Sequence, residues 1–181
     1  MPRQRLKDLL SGGDRRSLGR SNEAEKIALR QPWRFAELIQ CLWSDDPVVR
    51  MRAADAAEKV TVTRPELLHP HKQELLGLLV EAEQIELRWH LALMVPRLEL
   101  SARERERAVA ALQRYLEDRS SIVKTFAMQG MADLARQDPS LRETTKRILE
   151  ESLRTGTAAM KARARKLLKE LKNRGVLRTG D

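Results

Sequence analysis

The fold is decided by the stretch Asp45-Asp46-Pro47-Val48-Val49-Arg50-Met51-Arg52-Ala53-Ala54-Asp55-Ala56. Asp46 followed by Pro47 is a typical helix start, since Asp is a favoured N-cap and proline fits the first helical position. The apolar residues that follow are spaced four, three and four positions apart, which is one face of an α-helix; they are Val49, Ala53, Ala56 and Val60. The stretch therefore predicts an α-helix that buries this face.

The same pattern occurs four times along the chain, with a basic residue directly after an apolar one and small or apolar residues behind it. The basic residues are separated by 38, 36 and 37 positions; they are Arg50, Arg88, Lys124 and Lys161. An apolar residue follows each of them ten positions later, namely Val60, Leu98, Leu134 and Leu171. A period near 37 that holds two helices is typical of a solenoid, in which each hairpin buries its apolar face against its neighbours.

A first helix is predicted ahead of each of these second helices. Ser101 with Glu104 forms a capping box, and Asp138-Pro139 gives another start signal. A leucine-rich segment over residues 65–80 supplies the first helix of the second repeat, and Pro32 precedes that of the first. Trp33 and Trp43 have apolar neighbours in the predicted first helix of the first repeat, so we expect both tryptophans in the core.

The N-terminal residues lie outside the repeat. Leu6, Leu9 and Leu10 predict a short amphipathic helix, which Gly12 and Gly13 end. We expect residues 1–30 to form a helical cap on the solenoid, because open repeat ends need covering. Residues 31–175 then form the solenoid and residues 176–181 a flexible tail.

Composition and charge agree with an all-α protein. Only 3% of the residues are aromatic, while 34% are charged, and strong helix formers dominate. The net charge of +9 is concentrated at the two ends: residues 1–20 have six basic and two acidic groups, and residues 155–181 have eight and two. Basic ends can attract phosphates or an acidic protein, although solvated basic termini are also common.

The sequence also favours a cytoplasmic location. Cys41 is the only cysteine, which excludes an intramolecular disulfide and a cysteine-based zinc site. No apolar run approaches the roughly 20 residues that span a bilayer, and the first residues do not form a secretory signal. We expect no contact with membranes.

The quoted stretch resembles the second helix of a HEAT repeat, with its D-x-x-V-R-x-x-A pattern. The resemblance extends over about residues 33–173. The second repeat departs from it at Trp89 and His90, and the fourth lacks the acidic residue. The resemblance to HEAT repeats implies a right-handed α–α superhelix of about four armadillo-like hairpins. HEAT proteins mostly act as scaffolds and adaptors, whose concave surface of second helices holds another macromolecule.

The predicted binding face consists of residues on the second helices: Arg50, Arg52, Arg88, Trp89, His90, Lys124, Phe126, Lys161 and Arg163. The basic column among them could form a track for phosphates or carboxylates. Alternatively, its members pair with acids of the preceding turns, as the family's arginine does. Lys161 has no such acid nearby in sequence and is expected to be a free charge, and Trp89 is expected at the surface.

Enzyme chemistry is not indicated. His69 and His71 lack further ligands for a metal, and no glycine-rich phosphate loop is present. We expect no catalytic residue, metal, cofactor or small-molecule substrate. Some bacterial DNA glycosylases have HEAT-like repeats, and Trp89, Asp55 and the basic column could mimic their site by analogy of fold. The sequence thus predicts a scaffold with a protein partner, and a sequence-independent nucleic-acid binder or a glycosylase as alternatives.

Overall fold

The computed structural model describes residues 4–14 and 17–176, the last three of them by their backbone only. All regular structure in this part of the chain is helical, so the all-α prediction is confirmed. Residues 177–181, most of the predicted tail at 176–181, lie outside the described residues. The chain divides into two compact units, an N-terminal unit that ends at Glu99 and a C-terminal unit that begins at Leu100.

The N-terminal unit contains six α-helices among the described residues. They are α1 (Leu6–Leu10), α2 (Ser21–Arg30), α3 (Phe35–Cys41), α4 (Pro47–Thr63), α5 (Lys72–Glu81) and α6 (Ile85–Met94). The long helix α4 is the centre of this unit, since α1, α2, α3 and α6 all pack on it. Its apolar face is fully buried together with leucines of the other helices, such as Leu10, Leu38 and Leu91.

The C-terminal unit is formed by α7 (Ala102–Leu116), α8 (Ser121–Gln137), α9 (Arg142–Thr155) and α10 (Ala158–Val176). Helix α7 packs on α8, while α10 packs on both α8 and α9. One core cluster joins the last three of these helices; it consists of Met128, Ala132, Leu149, Ala164 and Leu167.

The start signals that were read from the sequence are confirmed for α4 and α7. The Asp46 side chain accepts a hydrogen bond of 2.8 Å from the Val48 amide, and Ser101 forms the capping box with Glu104. The first helix that was predicted for the second repeat differs from the observed structure. Residues Pro65–His71 form a 3-10 helix and α5 begins only at Lys72, because Pro70 has no amide hydrogen to continue an α-helix.

Candidate partner-binding surfaces

Arg50 and Arg88 help to hold the N-terminal unit together. Nε of Arg50 donates to Oε1 of Gln84 at 2.7 Å, and its Nη1 donates to the Ser44 carbonyl at 2.6 Å. Gln84 in turn donates to the carbonyl of Pro47, so the turn before α4 is joined to the turn before α6. Nε of Arg88 donates to the Ala82 carbonyl at 2.7 Å. Both half-buried guanidinium groups thus bind oxygens of this unit.

Arg52 was predicted on the binding face, but its side chain is buried under the N-terminal segment. Its guanidinium donates to four backbone carbonyls, those of Leu10 (2.8 Å), Gly12 (2.5 Å), Asp14 (3.0 Å) and Ser17 (3.1 Å). The residue is only 2% exposed. A partner therefore has no access to Arg52 while this segment is in place.

His90, another predicted surface residue, is buried beside Asp55. Its Nδ1 lies 2.6 Å from the Glu86 carbonyl, and since a carbonyl only accepts, Nδ1 holds the hydrogen. Nε2 is buried without a hydrogen-bond partner and faces Oδ1 of Asp55 at 3.8 Å. The carboxylate of Asp55 also accepts from Ser21 and, at 2.7 Å, from Lys59. These contacts join α2, α4 and α6.

The Asp55 cluster makes stability depend on pH. Burial raises the pKa of Asp55, but His90, Lys59 and Ser21 outweigh it and lower the pKa from its ordinary value of 3.8 to about 2. The pKa of Asp55 is lower in the folded protein than in the unfolded chain. The ionised carboxylate therefore stabilises the protein above pH 3.8, and this contribution is lost as the pH falls towards 2. We expect Asp55→Asn to lower the free energy of unfolding by about 2 kcal/mol at pH 7.

Urea unfolding at pH 7, 4 and 3 measures this effect, and the difference between Asp55→Asn and the unaltered protein should shrink on acidification. The exposed Glu81→Gln is the matched control and should change stability little at any of these pH values. A loss that stays constant from pH 7 to pH 3 would show that the charge of Asp55 is not the cause.

The tryptophans differ from the sequence prediction. Trp33 is 68% and Trp43 is 52% exposed, so their assignment to the core is wrong. Both lie just outside α3, one in the 3-10 turn before it and the other in the turn after it, where the helical apolar period no longer applies. Trp89 is half-buried and its ring stacks on that of His90, with centroids 3.3 Å apart.

Lys124 and Lys161 of the C-terminal unit are half-buried. Neither ammonium group has an ion pair or a hydrogen bond within the described residues. Lys124 borders a cavity of about 660 Å³ whose lining includes the apolar residues Leu116, Ile148 and Met160.

Helices α8 and α10 form a surface that we call the α8–α10 face, defined by Ile122, Phe126, Gln129, Asp133, Arg136, Arg163 and Glu170. The Arg163 guanidinium lies over the Phe126 ring at 5.2 Å and donates to Gln129 at 2.8 Å. Further along, Arg136 pairs with Asp133 and with Glu170. Ile122 is 42% exposed beside this row. Two predicted residues, Phe126 and Arg163, thus come together here.

A second surface feature was not predicted. Trp43 borders a cavity of about 570 Å³ together with Gln40, Cys41, Asp45 and residues at the start of the described chain, including Arg5 and Lys7. Arg34 and Glu37 pair at its base, where Arg34 also donates to the Gln4 carbonyl. Burial raises the pKa of the Cys41 thiol to about 11, so this thiol is protonated at neutral pH. We call this space the Trp43 cavity.

Within residues 4–14 and 17–176 there is no cluster of side chains that could hold a metal ion. None of the helices described here combines the length and apolar character needed to cross a bilayer. Of the residues in the glycosylase analogy, Asp55 is buried, with its carboxylate enclosed by Ser21, Lys59 and His90.

Comparison of the sequence with models of protein families gives no match, and comparison with curated proteins gives none either. Among solved structures, the chain is similar to an engineered protein of the Northeast Structural Genomics Consortium, with a TM-score of 0.63, 18% identity, and coverage of 93% of this chain and 78% of that one. A second engineered protein of that consortium is similar with a TM-score of 0.62 and 19% identity. The match covers 92% of this chain and 47% of that one. At such identities the likeness concerns the fold alone.

Proposed function

We propose that the chain is a short HEAT-type, armadillo-like solenoid that acts as a non-enzymatic scaffold for a protein partner in the cytoplasm. The helix pairs α3–α4, α5–α6, α7–α8 and α9–α10 would be its four hairpins. The repeat of 38, 36 and 37 residues supports this, as does the packing of second helices side by side, α4 on α6 and α8 on α10. The lone cysteine is in keeping with a reducing compartment.

The observation that carries the functional proposal is the α8–α10 face. It offers an aromatic ring and a guanidinium in contact, with an exposed isoleucine beside them. Arginine and aromatic side chains are enriched at protein interfaces and dominate their binding energy. Arg163 is positioned by Phe126 and Gln129, so it would lose little freedom on binding.

The charges of this face favour a protein over a phosphate backbone. Asp133 and Glu170 lie beside Arg136 and neutralise it. A surface that binds phosphates would gain from unpaired positive charge, whereas a mixed row of charges next to apolar side chains is what protein partners match.

Co-purification of a protein partner from a nuclease-treated extract of the source cells tests this proposal. We expect the double variant Phe126→Ala, Arg163→Ala to retain less than a tenth of the protein partner that the unaltered chain retains. A second variant, Arg163→Glu, should give the same loss without removing the ring. The control is Lys146→Ala, Arg154→Ala on the exposed side of α9, which should bind normally.

All variants should first be shown to melt like the unaltered protein, so that lost binding is not lost folding. The proposal fails if the face variants keep their partner, or if no protein depends on this face.

A second candidate function, sequence-independent binding of nucleic acid, is favoured by α10. This helix exposes Arg165, Lys166, Lys169 and Lys172, and Lys161 at its start has no partner in the described chain. Binding of duplex and single-stranded DNA and RNA across a salt series separates the two functions. Phosphate binding with about six contacts should fall by orders of magnitude between 50 and 200 mM salt, whereas an interface with an apolar centre should not.

A further inference from the structure

The Trp43 cavity has the side chains of a small-molecule site. Its volume of about 570 Å³ is in the range of pockets that bind compounds of drug size, roughly 300–1,000 Å³. An indole ring that is 52% exposed at such an opening is costly to leave in water, and it offers a flat face for a planar ring.

The polar groups of the cavity differ in whether they are available to a ligand. Arg34 is buried, and it is occupied by Glu37 and by the Gln4 carbonyl. Glu37 also accepts from the Leu6 amide, so this pair serves to fix the start of α1 against α3. The pair provides a rigid base and leaves no charge for a ligand.

Arg5 and Lys7, by contrast, are exposed and have no ion pair among the described residues. Both residues line the cavity. Guanidinium and ammonium groups bind phosphate oxygens, the first with two donors and the second as a point charge. Of the two acids among the described lining residues, Glu37 is paired with Arg34, whereas Asp45 has no ion pair.

Gln40 completes the lining with an exposed amide. An amide group both donates and accepts hydrogen bonds, which matches the paired donors and acceptors on the edge of a nucleobase. The cavity therefore combines a surface for stacking, an amide for the edge of a ring and two cations for an anion.

We propose that the Trp43 cavity binds a nucleotide, with the base on the Trp43 indole and the phosphate between Arg5 and Lys7. Neither a neutral aromatic compound nor inorganic phosphate would use all of these groups. The site belongs to the N-terminal unit and is independent of the α8–α10 face, so this proposal goes beyond the scaffold function.

Tryptophan fluorescence of the full chain, titrated with adenosine 5′-monophosphate at 50 mM salt, tests the proposal. We expect saturable quenching that Trp43→Phe abolishes. Trp33→Phe is the matched control, because Trp33 is also exposed but does not border the cavity, and it should keep the saturable signal. Arg5→Ala, Lys7→Ala should weaken binding of the nucleotide at least tenfold and leave the weak binding of adenosine unchanged.

A single-stranded oligoadenylate in the same assay identifies the source of the nucleotide. Affinity at least tenfold above that of the monophosphate would assign the cavity to a nucleic-acid strand, and equal affinity would assign it to the free nucleotide. Quenching that rises linearly with ligand, or that is the same in Trp43→Phe, would overturn the proposal. So would equal binding of adenosine and the monophosphate.

Discussion

Replacing Arg52 by Met is expected to release residues 4–14 and 17–19 from α4 and to lower the free energy of unfolding by about 3 kcal/mol. Met keeps the unbranched stem of the side chain but removes the guanidinium. Four backbone carbonyls then lose their donor together, those of residues 10, 12, 14 and 17. Hydrogen bonds from a charged donor contribute about 1.5–3 kcal/mol each when buried, and water can replace part of this once the segment moves away.

The effect should be localised in the N-terminal segment. Hydrogen exchange of amides in residues 4–14 and 17–19 should speed up most, while exchange in α7 to α10 should not change. Urea unfolding gives the change in stability. Gly19→Ala offers an independent route to the same state: the glycine has a φ of +50°, and a Cβ there would lie 2.7 Å from Cζ of Arg52.

Two controls distinguish the guanidinium from its charge. Arg52→Lys keeps the charge but cannot direct donors at four carbonyls, so its stability should lie between those of the Met variant and the unaltered protein. Arg20→Met removes an exposed arginine that pairs only locally with Glu23, and a change below about 0.5 kcal/mol is expected. Normal protection of the N-terminal segment in Arg52→Met would contradict the role assigned to this residue.

The helices were predictable because their signals are local. Asp46 and Ser101 cap the helices that they precede, as expected, since a cap depends on residues two or three positions away. The 3-10 helix at Pro65–His71 was missed because leucine spacing does not distinguish it from an α-helix over so few residues. The proline at position 70 was the signal that could have shown it.

The surroundings of the predicted binding residues were much less predictable. Arg52 and His90 occupy equivalent positions of the repeat, and the repeat alone places such positions on a surface. The burial of Arg52 depends on partners 35 to 42 positions away. The burial of His90 involves Asp55, which is 35 positions away. The period of a sequence does not report contacts between segments so distant in the chain. A charged residue at a repeat position therefore gives the same sequence pattern whether its side chain is exposed or buried.

The Trp43 cavity could not be predicted for a related reason. Trp43 has apolar neighbours in sequence, which indicated the core, but the chain leaves the helix at Leu42 and the ring turns to solvent. Arg5 and Lys7 were visible only as part of a basic terminus. Their position beside Trp43 arises because α1 packs on α3, and no signal in the sequence specifies that contact.

The second large effect is expected from ending the chain after residue 138, which removes α9 and α10. Met128 and Ala132 of α8 are fully buried against Leu149, Ala164 and Leu167, and all three of these partners would be lost. The helix pair α7–α8 that remains of the C-terminal unit exposes this apolar face and has too little core of its own. We expect residues 100–138 to lose cooperative unfolding and the shortened protein to aggregate, as measured by a thermal melt and light scattering.

A point substitution gives the same test in graded form. Leu167→Ala deletes a fully buried side chain of the cluster and should lower the free energy of unfolding by about 3 kcal/mol, within the usual 2–5 kcal/mol for such a change. The exposed Lys169→Ala on the same helix should change it by less than about 0.5 kcal/mol. Because α8, α9 and α10 share one cluster, amides of α8 should exchange faster in Leu167→Ala even though the substitution is on α10.

A sharp melt of the shortened chain, together with unchanged exchange of α8 amides in Leu167→Ala, would mean that each helix pair is stable without its neighbour. The solenoid proposal would then fail.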